Sequence, residues 1–161
     1  RHGKTARQGR HPTAGLDGRE LGEQLLAGEL EPIVHVVLDV LASALRGAQP
    51  WFVEVHPFRI DTADGIGRPT PEGAHRDGVD LVAVMLVARE NIKGGETRVF
   101  DIDGPAGQRF TLIEPWTTLL LDDTRVIHET TPIQPLDATR AGHRDTLVVT
   151  LRGGGFQGPQ R

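Results

Sequence analysis

Cysteine and tyrosine are absent from the 161 residues. Without thiolates the chain can form no disulfide framework, no thiolate zinc finger, no iron–sulfur cluster and no cysteine nucleophile. Any metal must be held by imidazole and carboxylate. Aromatic residues are scarce as well: two Trp and five Phe are too few for a base-stacking platform. There is no basic surplus either. The 18 Lys+Arg face 22 Asp+Glu, for a net charge of −4, which argues against a nucleic-acid partner. No apolar run approaches the ~18–20 residues of a membrane span and no signal peptide is visible, so a soluble cytoplasmic protein without a membrane partner is expected. Lysine is confined to Lys4 and Lys93, and Ser43 and Asn91 are the sole Ser and Asn. The matching abundance of Arg, Gly, Ala and Pro follows GC-rich codons and carries no functional weight.

What is present fits one domain. A compact chain of this length buries roughly 68–70% of its unfolded surface, enough for a core without staples. Residues 1–16 begin at Arg1 rather than Met, show no periodicity, and are expected to be a mobile arm or an incompletely represented N-terminal part. Residues 17–161 are read as the single domain, with helices in 17–47 and a β-rich body over 51–152. Leu21, Leu25 and Leu26 share a helical face before Gly28. A stronger helix is predicted from about Glu31 to Arg46, with Pro32 in its first turn and Val34, Val37, Leu38, Leu41 and Leu45 as its apolar stripe. Gly47 and Pro50 stop it. Seven or so short β-prone segments follow, at 51–62, 79–89, 94–101, 109–114, 117–122, 124–133 and 144–152, separated by turn residues. Strands this dense without intervening helices indicate an antiparallel double sheet. The expected class is α+β, mainly β: a jelly roll with N-terminal helices packed on one sheet.

The chemistry begins with His75-Arg76-Asp77. In an extended segment the imidazole and the carboxylate point the same way and can bind one ion together. The tripeptide alone says little, since about one H-x-[DE] is expected by chance in such a chain. A second occurs at His143-Arg144-Asp145, and neither has the further motifs of a kinase. The surroundings of the first raise it above background. A non-haem Fe(II) site needs two His and one carboxylate with open positions left over. His128, in TRVIHETTPI on a distant strand, is placed to be the third ligand. On the last strand Arg144, Thr146, Val148 and Thr150 share one face, and Leu147, Val149 and Leu151 share the other. An Arg and a Thr side by side can grip a carboxylate. Plainer readings stand beside these: a local turn for His75 and Asp77, a satisfied core residue for His128, and a strand-start ion pair for Arg144 with Arg152 as the fallback anchor. His143 is read as a solvated loop residue.

Together VEVHPFRI, PTPEGAHRDGVD, NIKGGET, LDDTRVIHETTPI and RDTLVVT carry a resemblance that runs in order over residues 31–152. The chain resembles the Fe(II)/2-oxoglutarate-dependent dioxygenases, and within them the bacterial free L-amino-acid hydroxylases of the isoleucine 4-hydroxylase type. The resemblance implies a double-stranded β-helix fold of the cupin-like kind and Fe(II) on His75, Asp77 and His128. It implies 2-oxoglutarate with its far carboxylate on Arg144, assisted by Thr146, and O2 as the oxidant, with ascorbate as an activity aid. It implies hydroxylation of an unactivated C–H bond in a free amino acid or related small molecule, with release of succinate and CO2. Related halogenases carry a small residue where Asp77 stands, so hydroxylation is favoured. A non-catalytic jelly-roll binding protein and a hydroxylase of a peptide- or carrier-bound residue are the alternatives. Four further residues are candidate substrate contacts. His56 and Arg59 lie on opposite faces of the first strand, so at most one of them qualifies, and Glu72 and Asp80 flank the metal loop. Gly94-Gly95 reads as a tight turn needing φ > 0 or close approach. The identity of the substrate and the oligomeric state are not legible in the residues.

Overall fold

The structure, a computed structural model, describes residues 31–156. The helical segment expected around Leu21–Leu26 and the arm of residues 1–16 lie outside the described residues. One helix, α1, spans Glu31–Arg46, the stretch its Pro32 start and Gly47 stop had marked. Gly47 closes it with φ 91° and a backbone bond from its N–H to the Ser43 carbonyl at 2.9 Å. The face that packs differs from the expected stripe. Leu38 and Ala42 are buried, whereas Leu41 and Leu45 are exposed among the described residues. Ala42 lets the helix approach the sheet closely, and a stripe read from large side chains overlooks such a residue.

Nine strands follow among the described residues: β1 (Phe52–Asp61), β2 (Leu81–Glu90), β3 (Ile92–Gly94), β4 (Thr97–Asp101), β5 (Gly107–Phe110), β6 (Thr118–Asp122), β7 (Val126–Thr130), β8 (Ile133–Pro135) and β9 (His143–Arg152). Two of the seven expected segments are each split in two. Between β3 and β4, Gly94 and Gly95 both take positive φ, and a Cβ on Gly94 would stand 2.3 Å from the Pro132 carbonyl oxygen. Between β7 and β8, Pro132 interrupts the run. All pairings are antiparallel. A four-stranded sheet runs β1-β9-β2-β6, facing a three-stranded β5-β4-β7 and a two-stranded β3-β8.

The alternation of β9 organises two cores. Leu147, Val149 and Leu151 point outward, where with Leu81, Ala83 and Val87 they meet Leu38 and Ala42 of α1. Val148 points inward, packing with Val84, Val99, Leu119 and Val126 around Val79, Val82 and Leu121. Arg144 and Thr146 share that inner side and are buried. Between β1 and β2 the loop is tied to the smaller sheets by two isolated bridges, Gly67 to Ile133 and His75 to His128. No helix among the described residues is long and apolar enough to cross a membrane.

Candidate metal centre and anion site

His75 and Asp77 stand just before β2 on that bridged loop, and His128 sits in the middle of β7. The two histidines exchange backbone bonds, His75 N–H to the His128 carbonyl at 3.0 Å and the reverse at 2.9 Å. Their rings are thereby fixed 4.7 Å apart, centroid to centroid. The Asp77 carboxylate lies between them, with Oδ1 3.7 Å from His75 Nε2 and Oδ2 3.4 Å from His128 Nε2. One donor atom from each of the three lies within 4.8 Å of the others. Two donors that each sit ~2.0–2.2 Å from one ion are at most ~4.4 Å apart, so the 3.7 and 3.4 Å separations of Asp77 from the two rings suit a shared divalent ion. The chemistry of the donors fits too. His75 Nδ1 lies 3.0 Å from the Gly73 carbonyl, which fixes the proton there and leaves Nε2 free to coordinate. Burial, then the neighbouring His75, holds the His128 pKa below the ordinary imidazole range, so its ring stays neutral. Burial raises the Asp77 pKa, against the opposing pull of His128 and His75.

Asp123 sets the loop that carries two of these side chains. It is 1% exposed, and its carboxylate accepts the backbone N–H groups of Asp77, Gly78 and Val79 at 3.1, 2.8 and 3.0 Å. Its own carbonyl accepts Arg76 Nε at 2.6 Å. In the sequence Asp123 stands only as one letter of LDDTRVIHETTPI. Its sole signal is the tandem Asp122-Asp123 at a strand end, which does not reveal a partner 46 residues upstream.

Arg144 and Thr146 line the same cavity as the triad, a space of about 350 Å³ walled also by Phe58, Val84 and Leu119. Arg144 is 4% exposed, and its Nε makes no hydrogen bond among the described residues. Burial, with Arg89 adding to it, lowers its pKa to about 10. The guanidinium remains charged at neutral pH, and no acid among the described residues forms an ion pair with it. A buried cation so placed is built for an anion.

The remaining sequence candidates separate. Glu72 lines the cavity, 3.2 Å from His75 Nδ1. His56 lies opposite Val148 on the inner side of β1, where it lines an adjoining cleft with Asp77 and Glu54. Arg59 is on the other face, bound to both carboxylate oxygens of Asp145 at 2.7 and 2.6 Å, and the structure does not bring it to the cavity. Asp80 is likewise apart, accepting the Gly153 N–H at 2.8 Å. Both side chains are held by structural partners that sequence spacing does not disclose.

Comparison with known proteins agrees with this architecture. A bsmA homolog from Methylobium petroleophilum PM1 has a crystal structure similar to this chain, at 62% identity and a TM-score of 0.71, covering 76% of this chain and 50% of that one. IDO from Bacillus thuringiensis matches at 21% identity and TM-score 0.65, over 80% of this chain and 58% of that one. The Fe(II)/(alpha)ketoglutarate-dependent dioxygenase TqaL matches at 23% and 0.61, over 73% and 52%. The last two show the fold alone, and this chain spans between 50% and 58% of the length of the three. No curated protein matches the chain. Residues 20–150 match the family model for the 2OG-Fe dioxygenases, and the chain that builds this His-Asp-His cradle belongs to that family.

Proposed function

We propose that the chain carries the catalytic core of an Fe(II)/2-oxoglutarate-dependent hydroxylase acting on a free L-amino acid or a closely related small molecule. One observation supports this most: the three donor atoms of His75, Asp77 and His128 converge in the same cavity as a buried Arg144 that no acid among the described residues neutralises. Family membership brings Fe(II), 2-oxoglutarate and O2 as the cofactors. The three side chains would hold the iron, neutral imidazoles and one carboxylate leaving the other positions open. When bound, that iron would activate O2, one atom of which goes into succinate as 2-oxoglutarate loses CO2 and the other into a substrate C–H bond.

The chain's own residues do the rest. Arg144 would take the far carboxylate of 2-oxoglutarate, and the Thr146 hydroxyl beside it offers a further donor. Phe58, Val84, Leu119 and Val148 make the intervening wall apolar and keep water from the reacting carbon. Glu72, at the cavity edge, is suited to a substrate ammonium, and His56 lies within reach of the adjoining cleft. A cavity of about 350 Å³ is the size of a site for small molecules, which supports an amino acid in place of a folded partner.

The test is a screen of the full chain with Fe(II), ascorbate and 2-oxoglutarate against the proteinogenic amino acids, following succinate and a mass gain of one oxygen. One or a few amino acids are expected to stimulate succinate release, and His128→Ala to abolish it. Iron binding without stimulation by any amino acid would overturn the substrate assignment. Intact turnover in His128→Ala would overturn the triad.

A further inference from the structure

Arg144 has a second arginine beside it, put there by an irregularity in β2. Along the first part of this strand Leu81, Ala83, Met85 and Val87 belong to the outer core, while Val82 and Val84 face inward. Continued strictly, that alternation would turn Arg89 outward. A bulge between Leu86 and Ala88 shifts the register, so that Ala88 pairs with Asp145 and Arg89 with Arg144. Directly paired residues of antiparallel strands share a face, so the extra residue re-aims Arg89 to the inner side.

Three observations show what this placement lacks. Arg89 Nη1 and Arg144 Nε are both buried atoms without a hydrogen-bond partner among the described residues. Neither arginine forms an ion pair among the described residues, and Asp145, one position away, is turned outward onto Arg59. The backbone also makes room for both. A Cβ on Gly95 would lie 2.9 Å from Arg89 Nη1 and 4.0 Å from Arg144 Cδ, and Arg89 Nη2 is fixed on the Gly94 carbonyl at 2.7 Å. With Arg144 buried and Arg89 half-buried beside it, the two guanidiniums repel each other unless an anion joins them.

We propose that Arg89 is the second cation of a two-arginine site for the far carboxylate of a 2-oxo dicarboxylic acid, Arg144 making the contact and Arg89 adding charge from the bulged strand. The inference rests on the reading of Arg144 as the co-substrate anchor. Arg89 is a positioning residue in this scheme: it raises affinity for the dianion and leaves the chemical step alone.

The full chain, loaded with Zn(II) so that no turnover occurs, would be titrated calorimetrically with 2-oxoglutarate, and the Fe(II) form assayed for KM and kcat. Arg89→Gln is expected to weaken 2-oxoglutarate about tenfold, equivalent to about 1.4 kcal/mol. KM should rise in step, kcat should stay within about twofold, and the loss should shrink at high salt. Arg89→Lys keeps the charge and is expected to bind within about threefold of the parent. Wild-type affinity in a folded Arg89→Gln protein overturns the proposal, as does a fall in Arg89→Lys as large as in Arg89→Gln. If Arg89→Gln does not fold, Arg89→Lys decides alone, a tenfold loss counting against the charge role and retained affinity for it. Arg144→Gln separates the two readings. Unimpaired binding there would remove the anchor itself, whereas impaired binding with Arg89→Gln unaffected removes only the role of Arg89.

Discussion

Asp123 is the residue on which the metal centre leans without contributing a ligand. A single buried carboxylate satisfies three successive backbone N–H groups, those of Asp77, Gly78 and Val79, and so fixes the direction in which Asp77 leaves the chain. Asp123→Asn keeps the volume but presents an amide NH2 to donors, leaving at least one N–H unsatisfied. A loss of about 2–4 kcal/mol in unfolding free energy is expected, since charged hydrogen bonds in buried sites are the strong ones. Metal affinity should fall as well, while binding of a dicarboxylate at Arg144, on another strand, should change little. Urea denaturation alongside metal and ligand titrations would check this, and an Asp123→Asn protein with parental metal affinity would show that the clamp is dispensable. At this scale the sequence was informative about side chains whose type announces their chemistry. That His75, Asp77 and His128 would converge was legible because few residue types can hold a metal without thiolates, and the shared inner face of Arg144 and Thr146 followed from strand parity. Asp123 and Arg89 were not, for their roles depend on which backbone groups or which strand register they meet.

Between elements, α1 is held to the sheet by more than Leu38 and Ala42. Arg46 in its last turn bonds the Asp122 carboxylate and the Thr124 hydroxyl, 3.2 Å from Arg46 Nη2, linking the helix end to the end of β6. Burial works to raise the Asp122 pKa, but the bonds from Thr124 and Arg46 outweigh it and the net shift is downward. A carboxyl whose folded pKa lies below its unfolded value adds stability above that unfolded value and loses it as pH falls through the folded one. The pair is partly open to solvent, so the contribution is about 0.5 kcal/mol, within the range of surface ion pairs. Asp122→Asn is therefore expected to be less stable than the parent by about that amount from pH 5 to 7, with the gap closing towards about pH 3, below the ordinary Asp value. Denaturation curves at a series of pH values would measure it, and a gap constant with pH would place the effect elsewhere than in the ionised carboxylate. The elements themselves were largely legible: the helix boundaries, the antiparallel strands and the two faces of β9 follow from periodicity and from Gly and Pro. The turn at Gly94-Gly95 was legible as well, from its paired glycines, whereas the break at Pro132 and the bulge in β2 were not. Each of these two is a tertiary adjustment to which hydrophobic alternation is blind.

Across the whole molecule, the proposed metal site joins parts that otherwise share few polar links. His75 and Asp77 come from the loop that leads into β2 of the four-stranded sheet, and His128 comes from β7 of the facing one. Beside the apolar core and the Asp123 clamp, the polar links of the loop to the smaller sheets are the two backbone bonds of the His75–His128 bridge, the Gly67–Ile133 bridge and the exchange between Thr70 and the Thr130 backbone. An ion bound by all three side chains cross-links loop and sheet in the folded state, and the unfolded chain, with its ligands 53 residues apart at the extremes, binds it far less well. At a free metal concentration about 100 times the dissociation constant, the linkage is worth about 2.7 kcal/mol. For a domain of this size that corresponds to a rise of about 5–10 °C in Tm. Zn(II) or anaerobic Fe(II) is expected to produce that rise, with the amides of His75 and His128 gaining protection from hydrogen exchange. A chelator should reverse it, and His128→Ala should show neither effect. Stabilisation of equal size in His128→Ala would mean that the ion is held elsewhere, and that the two sheets close on each other without the metal's help.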